Sequence, residues 1–146
     1  VRLSTGWPVL GIREHGRLVA AALVNEPTQL DFLDRFQEGL ARLREELGAA
    51  AYGRLERFEE ASAGNEPGEP HFFVGMVGVL PTHQGRGLGR RLLEAVRDMA
   101  RQAGVGFVAL STEDVRNVPF YLHLGLEVVG EADVDELHTW GFRWCV

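Results

Sequence analysis

Hydrophobic and polar positions change period several times along the chain, and each change marks an element. Val9-Leu10-Gly11-Ile12 and Leu18 to Val24 are apolar runs separated by Glu14-His15-Gly16-Arg17. Two such runs about a turn-forming quartet predict a β-hairpin. Trp7, just ahead of it, reads as a packing residue, and Asn25-Glu26-Pro27 ends the pattern. From Leu30 the spacing becomes three and four: Leu30, Leu33, Phe36, Leu40, Leu43 and Leu47. That spacing predicts a helix with these side chains inward, capped by Thr28 or Asp31. Gly48 is expected to divide it from a second helix, Ala49 to Ala61, with Tyr52, Leu55 and Phe58 inward. The helical segment thus covers about residues 28–62, and its mixed-charge face reads as solvated surface. Ser62 to Pro70, with glycines, prolines and acidic residues, reads as a loop.

Phe72 to Leu80 is apolar at both alternating sets of positions, which predicts a strand covered on both faces. Pro81 removes a donor and ends it. After Gln84-Gly85-Arg86-Gly87-Leu88-Gly89 the period is helical again, with Leu88, Leu92, Ala95, Val96, Met99 and Ala103 on one face. This helix is expected from about Gly87 to Gly104. Gly106 to Leu110 is a short apolar strand, so strand, helix and strand form a right-handed parallel crossover. Glu113 to Arg116 reads as a connection. Asn117 is the expected N-cap of a short helix with Pro119 in its first turn and Gly125 at its end. Leu126 to Gly130 is read as a strand, Glu131 to Glu136 as a loop and His138 to Trp144 as the last strand. The sum is an α/β (α+β) fold class: one domain over residues 1–146, with a single mixed central sheet flanked by helices.

The length of 146 residues suits one sizeable core. The net charge of −6 argues against nonspecific nucleic-acid binding and slightly favours a cationic substrate. No apolar run approaches a membrane span, and no secretory signal is visible. Cys145 is the single cysteine, which excludes an internal disulfide and fits a cytoplasmic setting; it reads as a packing residue. The five histidines show no metal-ligand spacing, so no metal is expected. There are no internal repeats, and the initial valine fits a trimmed natural start.

The glycine-rich turn before the second long helix carries the clearest chemistry. The first N–H groups of a helix lack intrahelical partners, and the helix dipole places partial positive charge there. Gly85, Gly87 and Gly89 keep side chains away from those donors, and Arg86, Arg90 and Arg91 add full charges. The combination predicts a site for a phosphate-like anion. It is not a P-loop, because no Lys-Ser or Lys-Thr follows. It is not the dinucleotide fingerprint either, because Arg90 stands where the third glycine is required.

Gln84-x-x-Gly87-x-Gly89 after an apolar strand instead resembles the Q/R-x-x-G-x-G/A signature of the GCN5-related N-acetyltransferases (GNAT). A second segment, Asn117-Val118-Pro119-Phe120-Tyr121 followed by Leu124-Gly125-Leu126-Glu127, is similar to that family's later block, with Leu126 where phenylalanine is commoner. Together the two segments cover about half the chain, Phe72 to Gly130. The resemblance implies acetyl-CoA as cosubstrate, with its diphosphate on the backbone donors of Gln84, Gly85, Arg86, Gly87, Leu88, Gly89 and Arg90. It implies that Val77, Gly78 and Val79 offer backbone groups to the pantetheine arm, with Gly78 permitting a bulge or close approach. It further implies that Asn117 contacts that arm and that Tyr121 lies near the sulfur.

The implied reaction moves an acetyl group from acetyl-CoA to a primary amine, on a small molecule or a peptide, by direct attack on the thioester. The amine must lose a proton first, which calls for a base or a water relay. The Val79 N–H is placed to stabilise the developing oxyanion. Tyr121 is the expected acid for the departing thiolate. A free phenol, pKa ~10, is a weaker acid than a thiol, ~8.5, so Tyr121 needs positioning or a shifted pKa. Glu113, Asp114, His71, Glu69, Glu26 and His138 are the candidate bases, and no motif selects among them. The family usually has a strand and two helices before the hairpin, and almost nothing precedes Val9 here. Either the helical pair supplies the acceptor wall, or a partner chain does, as in a homodimer, or the front has been removed. A noncatalytic acyl-CoA-binding or sensing module is the alternative reading.

Overall fold

The structure is a computed structural model that describes residues 8–27, 32–65 and 68–146. The expected roles of Trp7, of the Thr28 or Asp31 cap, of Leu30, and of the Leu33, Phe36 and Leu40 side chains lie outside the described residues and side chains.

Strands β1 (Val9–Glu14) and β2 (Arg17–Asn25) form the expected hairpin. His15 and Gly16 turn it with φ of 50° and 78°. Positive φ at both central residues gives the turn the twist its strands need. Helix α1 (Phe32–Ser62) is broken at Gly48, where φ is 74° and ψ 163°. That conformation is essentially restricted to glycine, so the expected division into two segments holds. The expected burial of Leu43 and Leu47 does not: both are exposed. Tyr52, Leu55 and Phe58, after the break, are half-buried. A 3-10 turn, Ala63–Asn65, follows where a loop was expected and seats a buried Asn65 on the sheet.

Strand β3 (His71–Val79), helix α2 (Leu88–Gln102) and strand β4 (Phe107–Thr112) form the parallel crossover. A 3-10 turn, Val115–Asn117, leads into helix α3 (Val118–His123), and strands β5 (Glu127–Val134) and β6 (Leu137–Cys145) close the chain. Glu131 to Val134 therefore continue β5, where a loop was expected. Ala132 and Val134 alternate with Glu131 and Asp133, the period of a half-buried strand, over a stretch too short and acidic to be read as one. The turn to β6 uses Asp135 at φ 54°.

Among the described residues six strands make one mixed sheet in the order β1-β2-β3-β4-β6-β5, with only β3 and β4 parallel. Leu88, Leu92, Leu93, Val96 and Ala100 of α2 are buried against one face. On that face Val108 pairs with Trp144 and Leu110 with Phe142, and all four are core residues. The intervening positions belong to the opposite face. There Gly141 leaves the space that Asn65 fills.

Two corrections concern β3. In the β2 pairing Leu23 faces Met76 while the next residue, Val24, faces Val74, so Gly75 is the bulged residue. Gly78 pairs in register with Ala21, so of the two uses expected of it, a bulge or a close approach, the bulge falls at Gly75 instead. The extra residue shifts the alternation. Phe72 and Val74 before it, and Val77 and Val79 after it, all join the packing under α2. Nor is β3 covered on both faces: Met76 is 67% exposed. Cys145 is exposed rather than packed.

Candidate functional site

The two middle strands pair at only three positions, His71 with Phe107, Phe72 with Val108 and Phe73 with Ala109. Beyond these they part. β3 continues to Val79 on β2 alone, and β4 to Thr112 on β6 alone. The parting opens a cleft of about 470 Å³. It gathers Val77, Gly78 and Val79 from β3, Gln84, Gly85, Gly87, Leu88, Gly89 and Arg90 from the turn, and Asn117 and Tyr121 from the start of α3. Segments about forty residues apart in sequence thus share one wall.

The turn is built by backbone conformation. Gly85 and Gly87 have φ of 72° and 73°, the left-handed region that favours glycine. Gly87 is the N-cap of α2; it supplies no side chain, and the helix's first turn contains no acid. The first bond inside the helix runs from the Arg91 N–H to the Gly87 carbonyl. The amides before it have no partner within the helix, and Gly87, Leu88, Gly89 and Arg90 line the cleft at the dipole's positive end. Gln84 Nε2 donates to the Val79 carbonyl at 3.2 Å, tying the turn to the strand.

The arginines behave differently from one another. Arg86 does not line the cleft. Its guanidinium donates to both oxygens of Glu14, at 2.8 and 3.1 Å, across the end of β1. That pairing, chiefly the Arg86 hydrogen bond, holds the Glu14 carboxyl below its ordinary pKa. Arg90 lines the cleft while its Nε donates to Glu94 at 2.7 Å. Arg91 is exposed on the helix surface.

Asn117 occupies the N-cap position of α3, but its side chain does not cap. Nδ2 donates instead to Thr112 Oγ1 at 3.1 Å. Asp114 caps the preceding 3-10 turn, accepting from the Arg116 N–H, and pairs with the Arg116 guanidinium. Those bonds hold the Asp114 carboxyl down to about 2. Tyr121 is 6% exposed, its ring 5.2 Å from Phe142 and 5.3 Å from Phe120. Burial, and then the charge of Glu113, push its pKa above the ordinary value. The phenol therefore keeps its proton at neutral pH and stands as a donor.

His83 and Phe120 also line the cleft, and sequence reasoning missed both. His83 holds Thr82 Oγ1 at 2.8 Å with Nδ1 and lies 3.6 Å from Glu14 with Nε2. Its place beside Gln84 was a usable signal. The base candidates read from the sequence are dispersed. His71 Nδ1 bonds the Glu69 carbonyl, and His138 sits between Asp133 and Glu131 on the β5–β6 hairpin. Among the described residues no group of histidine, cysteine and acidic side chains could hold a metal. No helix of the structure is long and apolar enough to cross a membrane.

A mixed sheet that parts at its centre, with a glycine-lined helix start at the fork, defines an acyl-CoA N-acyltransferase fold. The family model described as the acetyltransferase (GNAT) family matches residues 6–126, and the chain belongs to that family. It is 32% identical over 97 residues to the L-amino acid N-acyltransferase MnaT of Escherichia coli, an alignment covering 66% of this chain and 52% of that protein. It is 33% identical over 84 residues to the N-alpha-acetyltransferase RimI of Mycobacterium tuberculosis, covering 58% of this chain and 52% of that one. The chain thus spans about half the length of these relatives. Among solved structures, a Drosophila melanogaster polyamine N-acetyltransferase shares the fold with a TM-score of 0.66 at 18% identity, over 94% of this chain and 74% of that one. The yncA acetyltransferase of Salmonella typhimurium, solved with acetyl-CoA, shares it with a TM-score of 0.56 at 20% identity, over 99% and 67%.

Proposed function

We propose that this chain is an N-acetyltransferase that moves an acetyl group from acetyl-CoA to a primary amine. The observation that carries the reading is the single cleft in which uncapped amides of α2, the unpaired edge of β3 and the Tyr121 phenol meet. The donor set fits the cosubstrate: helix-end amides for a diphosphate, and strand N–H and C=O groups for an amide-bearing arm. Gly85, Gly87, Gly89 and Arg90 bind the diphosphate. Val77, Gly78 and Val79 take the arm as an added strand. Asn117 is anchored to Thr112 and keeps its remaining polar capacity for the arm. The Val79 N–H stabilises negative charge on the carbonyl oxygen, and Tyr121 gives its proton to the sulfur. Arg86 acts at a distance, fixing the turn through Glu14.

Thermal denaturation with and without acetyl-CoA tests the reading. Binding to the native state alone adds about 2.7 kcal/mol at a hundredfold excess over Kd, so the melting temperature is expected to rise. Gly87→Glu is expected to abolish that rise, because it puts bulk and negative charge against the phosphates. A wild-type melting point indifferent to acetyl-CoA would sink the proposal. A rise without amine-dependent thiol release would instead favour a binding module.

A further inference from the structure

The reading above assigns an acid and leaves the base open, and the sheet's two faces narrow the choice. Tyr121 packs on Phe142, on the α2 face. β4 and β6 pair Ser111 with Gly141 and Thr112 with Trp140, so the next residue, Glu113, comes opposite Thr139. Thr139 is two residues from Gly141 along β6 and so shares its face, the one on which Asn65 sits. Thr139 is 1% exposed, and its Oγ1 donates to Glu113 Oε1 at 3.2 Å. Glu113 is thus held just past the end of β4, four residues beyond that strand's last pair with β3, on the face opposite Tyr121.

Its charge is also uncommitted. The carboxylates bordering the site are otherwise engaged by cations: Glu14 by Arg86, Glu94 by Arg90 and Asp114 by Arg116. Among the described residues Glu113 has Thr139 as its hydrogen-bond donor and no cation partner, and it is open to solvent. A carboxylate fixed by a neutral donor keeps a full charge and free lone pairs for an incoming ammonium.

We propose that Glu113 receives the acceptor's ammonium group and takes its proton, from the sheet face opposite the thiol-protonating Tyr121. The inference rests on the acetyltransferase reading. The nitrogen lone pair forms the C–N bond as the C–S bond breaks. Two protons leave nitrogen in all: one is balanced by the proton Tyr121 delivers to sulfur, and Glu113 passes the other to solvent. The products are the acetamide, the free thiol and one proton.

The test is thiol release from acetyl-CoA with 1,4-diaminobutane, 2-phenylethylamine and alanine amide, across pH, for wild type, Glu113→Gln and Glu113→Asp. Acetyl-CoA affinity is measured alongside by thermal shift. General-base loss costs about 10²-fold or more. Glu113→Gln is therefore expected to lose about that much in kcat/KM below the amine's pKa. The deficit should shrink as pH rises and free amine becomes abundant. Glu113→Asp should recover part of the rate, and acetyl-CoA affinity should stay unchanged. A Glu113→Gln variant that follows the wild-type pH profile within twofold overturns the assignment and leaves the acetyltransferase reading standing. Absence of amine-dependent release from wild type overturns both.

Discussion

Single side chains at this site act through where they are held. Tyr121 is buried and carries a raised pKa, so it is a ready donor but a weak acid, and in the proposed reaction proximity to sulfur supplies what acidity does not. Tyr121→Phe is expected to lower turnover by about 10²-fold or more while leaving acetyl-CoA affinity within about threefold. Steady-state rates beside a binding isotherm check this, and unchanged turnover removes the acid role. His138 makes a different prediction. The Asp133 hydrogen bond first, and then Glu131, raise its pKa above the ordinary value of 6.5. A group that binds its proton more tightly when folded adds stability below its unfolded pKa and loses it as pH rises through the folded one. The melting-temperature advantage of wild type over His138→Gln should therefore be full below pH 6.5 and shrink as pH rises past it through the raised folded value. At this scale the turn residues were legible, because Gly85 and Gly87 are glycines for a backbone reason. The Arg86–Glu14 pair was not, because 72 residues separate the partners.

Secondary elements were read well where one physical rule set them. The β1–β2 hairpin, the α2 stripe and the Gly48 break all follow from local period or backbone freedom. Reading failed where a distant neighbour decided. The bulge at Gly75 exists to keep Phe72, Val74, Val77 and Val79 under α2, and no local pattern announces it. The second half of β5 is a strand because β6 pairs with it, despite Glu131 and Asp133. The docking of the α1 end is equally nonlocal. A Cβ at Gly141 would collide with the backbone oxygen of Asn65, which cannot swing aside as a side chain can. Overpacking of this kind costs about 1–3 kcal/mol. Gly141→Ala should lower the unfolding free energy by about that amount, read from a lower denaturation midpoint, and a neutral substitution would show that the 3-10 turn is free to move.

The molecule as a whole is two antiparallel half-sheets, β1-β2-β3 and β4-β6-β5, joined by three residue pairs and by α2 lying across the seam. Its family was legible because the phosphate turn and the α3 entry are contiguous motifs. The proposed base was legible only as one candidate among six, because Glu113 is set apart by its contact with Thr139, 26 residues on, and by the sheet face on which that contact falls. The fork has a consequence for handling as well as for chemistry. Two raw strand borders face each other across an open slot, and such borders are templates for a stranger's backbone. Coenzyme seated there would act as a plug against self-association. Purified material is therefore expected to clump sooner on storage once stripped of coenzyme, with light scattering delayed in proportion to the coenzyme restored.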